Sequence, residues 1–206
     1  MNKLFKSASA VLAAVMVLSS VGCGNKNDKK NNSIIVYDDS NPYVSTTIDD
    51  STLPTGENVK GEMGKKSTMD KVDVTMKKAS LIAKLKENEN QPKPTDVIVC
   101  FFDITNNTDK AIRVVAINNF DLLVDGVISS NVSSLNALMT ASQKYPDVSS
   151  LNTTELKPGE SISGYVAMEA EQNWKQLHLV YRPLKGSNDN SVIFELTPDM
   201  IEDDIK

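Results

Sequence analysis

Residues 96–107, DVIVCFFDITNN, decide the fold. Ile98, Cys100, Phe102 and Ile104 alternate to make one wholly apolar face. Val97, Val99, Phe101, Asp103 and Thr105 make a mixed one. A period of two in β-branched and aromatic residues, closed by an Asn-Asn turn, predicts a central strand buried mainly on one side.

The chain after this strand reads as its partners. Residues 111–117 form a further strand, and Phe120, Leu122 and Val124 alternate on another. Asp125 and Gly126 are the pair that a two-residue type I′ hairpin prefers, so Val127 and Ile128 begin the return. Residues 131–150 fit two readings equally: a short helix, on the spacing of Leu135, Leu138 and Met139 with Ser133 or Ser134 as cap, or a long loop. Lys157, Pro158, Gly159 and Glu160 carry a type II turn signature, and a strand over 161–169 follows. Over 174–182, Leu177, Leu179 and Tyr181 point inward, opposite Trp174, Gln176, His178 and Arg182. Residues 191–197 make the last strand, and 198–206 an acidic tail.

Before the central strand, Val72, Val74 and Met76 alternate, and the phase then flips to Ala79 and Leu81. That predicts a bulge near Lys77 and Lys78. The prolines of the loop over 86–95 forbid a continuing central strand. The expected fold is all-β: an antiparallel β-sandwich of seven or eight strands spanning 69–197.

The N-terminus is a targeting segment. Lys3 and Lys6 precede a short apolar run over 8–18, and Ser19, Ser20 and Gly22 lead to Cys23. This is a secretory signal peptide over 1–22, too short in its apolar part to span a bilayer comfortably. The sequence SVGC at 20–23 resembles a bacterial lipoprotein lipobox, departing from it at Ser20, where Leu is usual. The resemblance implies that Cys23 becomes the first residue and carries lipid, with a second acyl chain making attachment stable. The protein would then sit on the outer face of the cell membrane. An ordinary signal peptide with a coincidental cysteine is the alternative.

Residues 24–68 are rich in Asn, Asp, Lys, Ser and Thr, and cannot bury enough surface to offset the entropy of ordering. They read as a flexible tether of about 45 residues with a reach of roughly 35–40 Å. Ile34, Ile35, Val36 and Tyr37 alone form an apolar cluster, a possible added edge strand.

The charge is −5; without the leader, twenty basic side chains face twenty-seven acidic ones, a net of −7. That argues against nucleic acid as a partner. Cys23 and Cys100 lie in unlike contexts, so no disulfide is expected, and Cys100 reads as a small buried hydrophobe. GEMGKKST at 61–68 has only two residues between its glycines and an extra lysine before the serine, so it fails as a phosphate loop. GESIS at 159–163 has Ser163 where a nucleophile elbow needs Gly. Asp38, Asp39, Asp49 and Asp50 lack the spacing of a calcium loop. His178 is the sole histidine, which excludes any two-histidine metal site. On one strand face, Trp174, His178 and Arg182 offer a weak candidate ligand surface; the plainer reading is the solvent side of an outer sheet. No cofactor and no catalytic constellation is indicated.

Together, the lipobox, the polar tether, and the segments DVIVCFFDITNNTDKAIRV, NFDLLVDG, LKPGESISGYVAM and WKQLHLVYRP resemble the telokin-like, immunoglobulin-like domains of extracellular lipoproteins from Gram-positive bacteria. The resemblance covers roughly 70–197 and implies an immunoglobulin-like sandwich with no assigned activity. The Cys-Trp-Cys pattern of antibody domains is absent. The expectation is a non-enzymatic, membrane-anchored protein presenting a domain for a protein, peptide or envelope partner. A structural or accessory envelope lipoprotein without a ligand site is the alternative.

Overall fold

The computed structural model of the protein describes residues 54–89, 92–129 and 131–205. The expected signal peptide over 1–22, Cys23, the cluster 34–37 and the acidic pairs at 38–39 and 49–50 lie outside them.

The first strands are β1 (Asn58–Gly61), β2 (Lys66–Met69) and the long β3 (Val72–Leu85). The stretch DVIVCFFDITNN forms most of β4 (Thr95–Asn106). β5 (Ile112–Val115), one helical turn α1 (Ala116–Asn119), β6 (Phe120–Val124) and β7 (Val127–Ser129) follow. The helix α2 (Leu135–Lys144) separates them from β8 (Asn152–Leu156). β9 (Ser161–Glu171), β10 (Leu177–Tyr181), β11 (Ser191–Leu196) and β12 (Glu202–Asp203) complete the fold.

Two sheets face each other. The front sheet runs β1-β11-β10-β6-β7 and the back sheet β12-β3-β4-β9, with β2 also on β3 and a small ribbon of β5 and β8. The strand pairings are antiparallel except two: β1 lies parallel to β11 and β12 parallel to β3. The main core fills the space between the sheets. Phe102 stands 5.1 Å from Phe120 and 5.6 Å from Phe194, ring centre to ring centre. Ile98, Cys100 and Ile104 line the same face with Phe102, as their alternation requires.

A second, smaller core lies behind the back sheet. Val97, Val99, Tyr165 and Ala167 pack there against Ala137 and Ala141 of α2. The central strand is therefore buried on both faces in its first half, not mainly on one. The sequence reading placed an uncovered surface where the helix sits, because it left 131–150 open between helix and loop.

Local signals hold where turn chemistry specifies them. Asp125 and Gly126 both take positive φ (49° and 83°), as a type I′ hairpin demands. Gly159 has φ 79° and Glu160 N–H donates to the Lys157 carbonyl at 3.0 Å, closing the type II turn. The register of β3 on β4 slips between Met76 and Lys78, where the phase flip predicts a bulge. A second slip, between Leu81 and Ala83, has no signal in the sequence reading.

Two boundaries are corrected. Residues 54–68 are not tether: β1 completes the front sheet and β2 pairs with β3. Ladder bonds satisfy their polar backbones, which composition alone does not reveal. GEMGKKST accordingly spans the end of β1, a turn at Gly64 (φ 78°) and β2. The expected acidic tail over 198–206 is also corrected in its described part, 198–205, since Pro198–Met200 forms a 3-10 turn and β12 joins the back sheet. With β8, these are the strands missed, so the described residues hold twelve strand segments where seven or eight were expected.

Candidate binding groove

The groove follows from how α2 is fixed. Ser134 caps it, its Oγ accepting from the Ala137 N–H at 3.2 Å. The same hydroxyl donates to the buried Glu169 carboxylate on β9, which also accepts from Thr95 Oγ1 at 3.1 Å. Alanines on the inner face let the helix approach the sheet closely. On its outer side Leu135 and Met139 are 72% and 52% exposed.

At the C-terminal end of α2, an aromatic and ionic cluster forms. Tyr145 meets Phe101 edge-on at 5.0 Å, and the Lys78 ammonium lies 5.0 Å from the centre of the Phe101 ring. Tyr145 OH donates to Asp204 Oδ2 at 2.9 Å, and Lys144 Nζ reaches Asp204 Oδ1 at 3.2 Å and its carbonyl at 2.7 Å. The hydrogen bond from Tyr145 and the Lys144 ammonium hold the Asp204 carboxyl below its usual pKa. Burial, reinforced by that carboxylate, pushes the Tyr145 phenol up.

Two openings flank the cluster. At the far end of β3, a cleft of about 590 Å³ lies between Leu85, Lys86 and Glu87 and the helix residues Asn136, Met139 and Gln143. A second, of about 460 Å³, is bordered by Lys77, Lys78, Phe101, Asp103, Val148 and Glu202. Lys77 and Ser163 both bond Asp103, at 2.9 and 2.7 Å, and hold its carboxyl below the usual range. Ser163 on β9 thus bonds across the strand pair to Asp103 on β4.

The surface proposed from Trp174, His178 and Arg182 does not form. Trp174 precedes β10 rather than lying on it, and its indole is buried in the main core with Nε1 3.1 Å from Asp96 Oδ2. His178 is on the front sheet but only 6% exposed. Arg182 is half-buried and pairs with Asp121 at 3.2 Å. The strand begins three residues later than expected, so the shared face that periodicity implied does not reach Trp174. Cys100 is fully buried and free, and burial pushes its thiol up to about 12. Among the described residues no cluster of His, Cys, Asp and Glu is arranged to hold a metal ion. Lys144, Tyr145 and Asp204 were missed. The two sides are about sixty residues apart in sequence, and the acidic end of the chain reads as solvated on its own.

Similar architectures are known. A candidate lipoprotein (ycdA) from Bacillus subtilis matches over 67% of this chain with a TM-score of 0.50 and 16% identity; the match spans 40% of that protein. A candidate lipoprotein from Staphylococcus aureus matches over 70% of this chain and 97% of its own (TM-score 0.47, 13% identity). A β-sandwich protein from Clostridium difficile matches over 68% and 95% (TM-score 0.41, 13% identity). No curated protein matches the chain in sequence. The sequence model of a family described as a domain of unknown function, DUF4352, matches residues 61–191, starting at the end of β1 and ending at the first residue of β11, and the chain belongs to that family.

Proposed function

We propose that this chain is lipid-anchored on the extracytoplasmic face of the cell membrane, and that its sandwich binds a partner in the groove between α2 and β3 without performing chemistry on it. The observation that carries the reading is the groove: an open cleft of about 590 Å³, apolar at Leu85 and Met139 and amide-lined at Asn136 and Gln143, on a helix pinned to a rigid sheet. The lipobox-like SVGC ending at Cys23 supports the anchor, and the Bacillus subtilis protein whose fold this chain resembles is itself a candidate lipoprotein. The setting of His178, buried on the front sheet and bordering neither cleft, supports a non-catalytic role.

A photo-crosslinking residue at Gln143 tests the binding site in intact cells, with one at the exposed Lys175 as control. A discrete adduct from Gln143 and none from Lys175 is expected; equal labelling from both would remove the groove from consideration. The anchor is tested by the intact mass of protein extracted from native membranes. Cys23 should be the first residue and carry lipid, whereas a free thiol or another start would refute it.

A further inference from the structure

The groove between α2 and the edge of β3 is already occupied at one end by part of the chain itself. Glu202 and Asp203 pair with Ser80 and Leu81 of β3, and Asp204 N–H donates to the Leu81 carbonyl at 2.9 Å. Each flanking acid meets a cation: Glu202 lies 3.7 Å from Lys78, and Asp204 binds Lys144 and Tyr145. These contacts describe a receptor for an extended acidic segment. It has a strand edge for the backbone and two ammonium groups and a phenol for the carboxylates.

The occupant is small for its site. Its ladder is two residues long, both exposed, and its ion pairs are solvent-accessible, a class that is individually weak. Beyond it, among the described residues, no strand pairs with Ile82–Leu85 on this edge. The line of β3 runs on to Leu85 and the cleft beside Met139, about 13 Å past Leu81 at ~3.3 Å per residue. A longer segment in the same parallel sense would keep the acidic contacts and place its following residues in that cleft.

We propose that the groove takes an extended acidic peptide of a partner polypeptide, apolar just after its acidic residues, and that the C-terminal strap 202–205 is an internal stand-in which the partner displaces. The inference rests on the groove being the binding site. Ile201 packs on the main core, so exchange begins after it.

The test uses a fluorescein-labelled peptide of residues 199–206, DMIEDDIK, titrated by anisotropy against the chain lacking residues 1–23 and against the same chain ending at Ile201. Both described cores are built from residues between Val59 and Ile201, all of which the two chains retain, and circular dichroism checks that each is folded. The shortened chain should bind the peptide at least tenfold more tightly than the intact one. Replacing the three central acids of the peptide with lysine should abolish binding, and Lys144→Ala in the shortened chain should weaken it at least fivefold. A shortened chain with native circular dichroism that ignores the peptide, or binds the lysine version equally, overturns the proposal. If the shortened chain does not fold, a full-length Glu202→Gln, Asp204→Asn double variant keeps the strap backbone and loses its latch. It must bind the peptide more tightly than the parent, and equal binding overturns the proposal. A failed peptide with a persisting Gln143 adduct refutes only the acidic class of ligand; loss of both refutes the binding reading as well.

Discussion

At His178, burial is the largest influence and disfavours the imidazolium; the Glu195 carboxylate opposes this and the Lys60 ammonium adds to it, leaving the pKa below its usual value. The unfolded chain, titrating near ~6.5, then binds the proton better than the folded one. Stability should therefore be level above about pH 6.5 and decline below it, until the depressed folded pKa is passed. Urea midpoints across this range should show the decline in the parent and lose it in His178→Gln. Asp73, Asp103, Glu195 and Asp204 are also held low, so their contributions disappear only in more acidic solution, below about pH 4. Cys100 gives a second residue-level expectation. Its thiol is fully buried and raised to about 12, so iodoacetamide at mildly alkaline pH should leave Cys100 unmodified in the native chain and label it only in denaturant, as peptide mapping would show.

Among the elements, α2 depends most on one side chain. Ser134 satisfies an otherwise unpaired helix N–H and also serves Glu169, a carboxylate only 6% exposed. Ser134→Ala should cost about 1 kcal/mol for the cap, and more if Glu169 is left short of donors. Denaturant unfolding measures the total, and a change within experimental error would mean the cap is dispensable. The elements also show why some strands were legible and others not. β3, β4, β9 and β11 each bury an alternating apolar row, and the β6–β7 turn names itself by Asp-Gly. β1, β2, β8 and β12 read NVKG, KSTM, NTTEL and ED; pairing partners hold them, and nothing in their own pattern announces a strand. The groove was illegible for a related reason. Its parts are a polar helix C-terminus, a mid-strand lysine and the acidic residues 202–204, each ordinary in isolation, and only the fold brings them to separations of 2.9, 3.2 and 3.7 Å.

For the whole molecule, the placement of β1 separates a fold that includes residues 58–61 from one preceded by a linker. A methyl added at Gly61 would lie 2.4 Å from the Phe194 ring, whose position is fixed by the core. Gly61→Ala should thus destabilise by about 1–3 kcal/mol, as overpacking does. A linker glycine would tolerate the change, so an unaltered thermal midpoint would return 54–68 to the tether. The parallel seating of both ends also has a consequence in time. Asn58 and Ser191 are 133 positions apart, and the strap closes on β3 across a comparable span. Synthesis runs from the N-terminus, so β1 is made before the other described strands and finds its place among the last, once β11 exists to receive it. The hairpin of β3 and β4 can form early across a short loop, whereas these two parallel pairings must wait until residues 191–203 have been made. A ribosome stalled before β11 should hold a nascent chain with much of the back sheet protected from protease and β1 still open to cleavage.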